Sequence, residues 1–228
     1  MSEAFSPLAG FTGTARLFPL PNLVFFPHVM QPLHIFEPRY RQMTADALEG
    51  DRLIALVLPR PGWEQDYAGC PRIYTVATLG KIVADQKLDD GRYNILLRGL
   101  SRIHLAQEIP QSKLYRKARA ELLVESQVTA AAKERRLRKR LINTAPALLS
   151  NQGAVIDQFR KLLKTELPLG ALCDLIAFAL PLEMEFKQSL LEELDVEART
   201  LLLLKHLSGM ANKPLAAELP FPPEFSVN

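Results

Sequence analysis

Only two cysteines, Cys70 and Cys173, occur among the 228 residues, too few for a disulfide framework, so a reducing cytoplasm is the expected compartment. Long hydrophobic runs are missing as well. Residues 53–58 form the longest aliphatic run of the first half, and 175–182 is broken by Pro181, whereas a membrane-spanning helix needs about 20 apolar residues. The start, Met1-Ser2-Glu3, lacks a basic n-region, and Pro7 and Gly10 interrupt any apolar segment, so no signal peptide is expected. A phosphate-cradling loop requires Gly-x-x-x-x-Gly-Lys-Ser/Thr, because backbone N–H groups and the lysine hold the phosphates. The one Gly-Lys pair, Gly80-Lys81, is followed by Ile82 in a strand-like stretch and fails that test. No Gly-x-Gly-x-x-Gly and no Gly-x-Ser-x-Gly occurs. His28 and His34 have no cysteine near them, and Cys70 and Cys173 are far apart in the chain, so no metal site is expected. The expectation is a protein with no catalytic residues, no metal and no cofactor.

What is present is ordinary globular composition, 48% hydrophobic and 23% charged, which excludes a disordered chain. Residues 133–140 hold six basic side chains and one acid, a net +5 within a chain whose total is +3. The remainder is therefore slightly acidic, unlike a general nucleic-acid binder.

Eight of the 11 glycines lie at or before Gly99 and all five tyrosines at or before Tyr115, after which Leu, Ala, Glu, Lys and Arg recur with helical spacing. This predicts a β-rich domain over 1–125, a helical domain over 126–212 and a proline-rich tail over 213–228. The tail is expected to pack on the body through Phe221 and Phe225. Strands are expected at 15–20, 32–36, 53–58, 73–84 with a bulge at Gly80, 92–98, 100–109 after a kink at Gly99, and 114–124. Asp90-Gly91 predicts a hairpin turn. Pro38 suits the first position of a helix over 38–48, which Gly50 ends and whose buried stripe is Tyr40, Met43 or Thr44, and Ala47. Six or seven strands around one helix favour a closed or partly closed barrel. Helices are expected at 129–149, 154–163, 168–180 and 183–194, then from 196 to about 210 behind an Asp195 cap, together forming a bundle.

Leu17-Phe-Pro-Leu20, Val24-Phe-Phe-Pro27, Pro32-Leu33 and Ile35-Phe-Glu-Pro-Arg-Tyr40 are followed by Val76-Ala-Thr78, Ile82, Asp90-Gly91, Leu97-Arg-Gly99 and Arg102-Ile103. The second half adds Phe186-Lys-Gln188, Leu190-Leu-Glu192, Asp195 and Arg199. In this order, over residues 15–207, the chain resembles the N-terminal domain of the Lon ATP-dependent proteases, the LON substrate-binding domain. Ala77 stands where that family usually has glycine. The resemblance implies an α+β protein, a PUA-like twisted β-barrel with one short helix followed by a C-terminal α-helical bundle. It also implies a stand-alone, non-catalytic module that binds unfolded or partly folded polypeptides within a protease or chaperone system, since the chain ends about where that domain would.

Clients would meet the barrel surface and the groove against the helical bundle. Candidate polypeptide contacts are Phe25, Phe26, Trp63 and Tyr67. For Phe25 and Phe26 two readings stay open, a plug at the barrel end or a ring exposed to client. Trp63 and Tyr67 share a proline- and glycine-punctuated loop, where an exposed tryptophan would suit a binding hot spot and a buried one would cover the loop base. The alternative partner is RNA, contacted through Arg135, Arg136 and Lys139. On a helical wheel these face away from Leu137 and Leu141, which favours a solvated face, and no aromatic residue lies among them for base stacking.

Overall fold

The computed structural model describes residues 8, 10–66, 69–110, 112–145 and 166–211. It is an α+β structure with a six-stranded mixed sheet and several helices, divided into two compact units that meet in sequence at Leu123 and Val124.

The first unit runs β1 (Thr14–Pro19), β2 (Met30–Ile35), α1 (Pro38–Leu48), β3 (Leu53–Val57), a single 3-10 turn (Trp63–Asp66), β4 (Val76–Lys87), β5 (Tyr93–Ile109) and β6 (Lys117–Leu122). Strand β3 pairs parallel with β1 and antiparallel with β4. β4 pairs with β5, β5 with β6, and β6 returns to β1. The pairings thus form a closed circuit, and β2 pairs with the first part of β5, Tyr93–Arg98, ahead of the stretch that β6 takes. Alternation explains what fills it. Leu53, Ala55 and Val57, with Ala15, Leu17, Ala77, Leu79, Ile103, Leu105, Ala118 and Ala120, form one buried apolar cluster. Ala77, at the position where glycine was expected, is fully buried and fits within it.

Local chemistry sets the element ends. Pro38 opens α1, which buries Tyr40, Met43, Thr44 and Ala47. The left-handed residue after that helix is Arg52 at φ 64° rather than Gly50. Its amide donates to the Ala47 carbonyl at 2.8 Å, closing the turn before β3. Gly91 at φ 80° makes the β4–β5 turn, and the register slips between Leu79 and Gly80. β5 runs unbroken through Gly99 instead of dividing there: one extra residue, Leu100, stands in β5 opposite the Leu79–Gly80 step, so the irregularity is a bulge within a continuous strand. The last strand begins at Lys117, three residues later than its apolar pattern suggested. Leu114, Tyr115 and Arg116 precede it, and the last two commit their side chains to other elements.

The second unit has α2 (Ala131–Thr144), α3 (Leu169–Ala179), α4 (Met184–Glu192) and α5 (Val196–Ala211). The helix expected at 154–163 and the tail at 213–228 lie outside the described residues. α5 packs against α2, α3 and α4. The Asp195 carboxylate accepts from the amides of Glu197 and Ala198 at 2.8 and 3.0 Å, a side-chain cap on α5. Arg199 is fully buried on that helix. Its guanidinium meets Glu125 at 2.7 Å and Asp174 at 3.3 Å and donates to the Glu193 carbonyl at 2.7 Å. A buried cation is tolerated only with such compensation. Desolvation pushes Arg199 down, yet the charges of Asp174 and Glu125 outweigh it and raise its pKa.

Candidate functional site

Two adjoining depressions in the first unit share Pro19, Arg39, Tyr40, Gly69 and Arg116. The larger is a cleft of about 210 Å³ that adds Leu17, Cys70, Leu114 and Tyr115, and the narrower adds Pro21, Pro59, Trp63 and Pro71. Three stretches of chain build it.

The first is the entry to α1. Because Pro38 takes the first helical position, the Tyr40 and Arg41 amides donate to the Glu37 carbonyl at 3.0 and 2.8 Å. Tyr40 is then aimed back against Phe18, ring centroids 4.3 Å apart. Arg39 folds over the Tyr40 ring at 4.6 Å while its Nε donates to Glu37 at 2.9 Å. Such a cation–π contact contributes about 0.5–1 kcal/mol.

The second stretch is the loop between β3 and β4. Its base is clamped like a short ladder, with Arg60 N–H donating to Arg72 at 2.7 Å and Tyr74 N–H to Leu58 at 3.0 Å. Gly62 at φ 87° turns the chain into the 3-10 turn that carries half-buried Trp63. The third stretch is 114–116. Buried Arg116 donates through Nε and Nη2 to both oxygens of Glu108, at 2.8 and 2.5 Å, and through Nη1 to the Pro71 carbonyl at 2.9 Å. It therefore ties the loop to the sheet with a two-pronged charged contact. Tyr115 donates its hydroxyl to Asp46 at 2.8 Å. Burial, and then that bond, push the phenol up to about 12. Burial acts to raise the Asp46 carboxyl, but hydrogen bonds from Tyr115 and Lys113 prevail and hold it below its ordinary value.

Half-buried Trp63, proline faces and exposed Leu114 give these depressions an apolar rim, while Tyr40 and Tyr115, 5% and 4% exposed, form the floor and Arg39 is paired with Glu37. Among the described residues no three His, Cys, Asp or Glu side chains converge as metal ligands. None of their helices is long and apolar enough to cross a membrane.

The residues singled out from sequence fare differently. Phe25 and Phe26 are 1% and 0% exposed. Of the two readings open for them, burial supports the structural one: each ring is core, and touching a client would require the loop to leave the sheet. Trp63 lines the narrower depression, while Tyr67 lies outside the described residues. Arg135, Arg136 and Lys139 are exposed on α2, opposite buried Leu137 and Leu141. Tyr115, Arg116 and Cys70 were missed as site residues, since nothing in their own neighbourhood announces a cleft assembled from distant stretches.

The second unit has its own apolar groove of about 380 Å³, lined by Phe186, Leu202, Lys205, His206, Gly209 and Met210. Phe186 stacks on His206 with centroids 3.9 Å apart. On the same helix as Phe186, Lys187 is buried with its ammonium donating to the Phe178 carbonyl at 3.0 Å, and desolvation pushes it down to about 8.

Residues 14–209 match the profile of the ATP-dependent protease La (LON) substrate-binding domain. Over 192 residues the chain is 29% identical to Lon protease 2 of Myxococcus xanthus, covering 84% of this chain and 23% of that protein. The same identity and coverage of this chain hold for the Lon protease of Anaeromyxobacter dehalogenans, of which 22% is covered. The chain thus spans less than a quarter of the length of these relatives. Among solved structures, the N-terminal domain of the Mycobacterium avium complex Lon protease superposes with a TM-score of 0.65 at 16% identity, covering 89% of this chain and 100% of that one. A Lon N-terminal domain protein from Xanthomonas campestris gives 0.61 at 20% identity, covering 84% and 97%. The chain belongs to the LON substrate-binding domain family.

Proposed function

We propose that this chain is a non-catalytic polypeptide-binding module, without ATPase or peptidase activity of its own, acting in the cytoplasm on unfolded or partly folded proteins. In this reading the strand circuit is a PUA-like twisted barrel over roughly residues 1–125, and the helices of 126–212 form a bundle. The observation that carries it is the cleft floored by buried Tyr40 and Tyr115 and rimmed by Leu114, prolines and half-buried Trp63. Extended peptides are held by aromatic grooves that take alternate side chains, and burial of apolar area drives the association without covalent chemistry. A volume of about 210 Å³ lies below the ~300–1,000 Å³ of sites that enclose small molecules. It suits side chains of a passing segment better than a cofactor. The family match supports the substrate class, since the matching profile is described as substrate-binding.

The basic face of α2 carries no aromatic residue and no observation favours RNA, so that alternative is not carried forward. Trp63 is the only tryptophan and reports on the cleft directly. Titrating a reduced, carboxymethylated unfolded protein into the chain should shift Trp63 emission with saturation. The reading is lost if neither emission nor co-sedimentation responds up to about 100 μM client, a concentration that detects interactions stronger than about −5.5 kcal/mol.

A further inference from the structure

Leu114 is 61% exposed, one of the most exposed large apolar side chains among the described residues. A single exposed leucine is ordinary on a protein surface. What sets this one apart is how firmly its backbone is held. Gln42 and Asp46 stand one turn apart on the same face of α1, and both reach the stretch before β6. The Leu114 N–H donates to Gln42 Oε1 at 2.9 Å. On either side of it, Lys113 Nζ meets Asp46 at 3.2 Å, and the Tyr115 hydroxyl donates to the same carboxylate at 2.8 Å. An exposed amide needs none of this, because water would satisfy it without ordering a glutamine side chain. Three consecutive residues are fastened to one helix, and the apolar side chain in the middle is left exposed.

Both charged side chains that line the cleft are already committed. Arg39 Nε donates to Glu37, and all three side-chain nitrogens of Arg116 donate to Glu108 or to the Pro71 carbonyl. The Tyr115 hydroxyl is taken by Asp46. What the cleft offers a ligand is apolar: Leu114 at the rim of the wider depression and half-buried Trp63 at the narrower, beside the Tyr40 floor that the two share. Such a surface favours apolar side chains, since a charged one would lose hydration there without gaining a partner. A rim residue whose backbone is fixed beforehand also binds with less ordering still to be lost.

We propose that Leu114 is the residue with which the wider depression grips an apolar side chain of its client. Gln42 is then a positioning residue, which acts by holding Leu114 at the rim. This rests on reading the cleft as a polypeptide site and assigns the residue that gives that site its preference for apolar segments.

Titrating a fluorescently labelled, reduced and carboxymethylated unfolded protein into the full chain tests both roles, in about 0.15 M salt so that exposed charges are screened. Leu114→Asn lowers affinity about fivefold, less than loss of a tryptophan would, since leucine seldom dominates an interface. Leu114→Met keeps apolar volume and stays within about twofold of the parent. Gln42→Ala lowers affinity about threefold and speeds hydrogen exchange at the Leu114 amide about tenfold. Gln42→Glu keeps an acceptor oxygen and restores both. Added to Leu114→Asn, Gln42→Ala causes no further loss of affinity, because it acts only through the leucine. If Leu114→Asn binds client as the parent does, or Leu114→Met loses as much as Leu114→Asn, the grip assigned to Leu114 fails while polypeptide binding stands. A further loss in the double variant, no rescue by Gln42→Glu, or unchanged exchange in Gln42→Ala overturns the positioning role. If the parent binds no client at all, the polypeptide reading falls and this assignment with it.

Discussion

Two loops of the first unit carry aromatic residues in proline-rich surroundings, and they have opposite fates. Residues 21–29 present Phe25 and Phe26, and residues 58–75 present Trp63. Read locally the two are alike. What separates them is the surface each one meets. The first loop lies against β4 and β5 where two glycines face it. A Cβ on Gly99 would sit 2.2 Å from the Phe26 carbonyl oxygen, and one on Gly80 would sit 2.8 Å from Leu97 and 3.0 Å from the Phe25 ring. The loop is also stitched down. Thr78 donates its hydroxyl to the Phe25 carbonyl at 2.6 Å, His28 N–H donates to Gly99 at 3.0 Å, and Gly99 N–H donates to Val29 at 2.8 Å. The second loop is clamped at its base and through Arg116, and Trp63 stays half-buried. An aromatic residue becomes core where the opposite strand has given up its side chains, and stays at a surface where it has not.

The largest test of this contrast is Gly99→Ala. The clash would be with backbone, which cannot rotate away, so the loop must lift or β5 must shift. Overpacking of this kind costs about 3 kcal/mol or more. Urea denaturation followed by far-UV circular dichroism should show it as a lowered midpoint with little change in slope. A loss below about 1 kcal/mol would mean the loop is not held by close backbone approach. Gly80→Ala is the milder companion. Its nearest neighbours are the Leu97 side chain and the edge of the Phe25 ring, both able to adjust, so about 1–2 kcal/mol is expected. If Gly80→Ala proves the more damaging, the ranking by backbone contact is wrong.

These positions also show what a single sequence can and cannot reveal. Gly99 and Thr78 belong to the stretches that suggested the family, and their physical reason is now visible: one makes room for the Phe26 backbone and the other holds the Phe25 carbonyl. Local signals were legible because their causes are local. Pro38 opens α1, Asp90-Gly91 turns β4 into β5, and Asp195 caps α5. The sequence offered both a buried and an exposed reading of Phe25 and Phe26, and what decides between them is distant: Gly80, Gly99 and the Thr78–Phe25 bond, with its separation of 53. The parallel β1–β3 pairing and the closure of β6 onto β1 were likewise beyond the pattern, since alternation names a buried face but not a neighbour. Tyr115 and Arg116 were taken for the start of a strand because both are bulky and strand-compatible. Their roles come from Asp46 and Glu108, which other elements supply.

Tyr115 sharpens the comparison on the side of the open loop. Its folded pKa is raised to about 12 from 10.0. Its contribution to stability is therefore fully present below about pH 10 and is lost as pH rises through about 12. Tyr115→Phe should cost about 1 kcal/mol at neutral pH, the value of a hydrogen bond to a carboxylate that stays partly hydrated. The variant should also lack the parent's extra alkaline loss between about pH 10 and 12, measured by denaturant midpoints at each pH. An unchanged alkaline slope would show that the Tyr115–Asp46 bond does not tie the 114–116 stretch to α1.

Trp63→Ala is the smallest expected change in stability and the most informative about function. If Trp63 served the fold as Phe25 and Phe26 do, truncation would cost the ~3–5 kcal/mol typical of a buried aromatic residue. The loop base is held without it, by the Arg60–Arg72 and Tyr74–Leu58 hydrogen bonds and by Arg116 on Pro71. The expected loss is therefore below about 1 kcal/mol, the range of surface substitutions. Client affinity should fall by tenfold or more, about 1.4 kcal/mol, because a tryptophan at the rim of a groove concentrates binding energy. Fluorescently labelled client serves for that measurement, since the intrinsic probe is removed with the residue. A stable variant with unimpaired client binding would move the site away from this cleft. A strongly destabilised variant would show that the two loops are alike after all, and that the tip of the second is held by its ring.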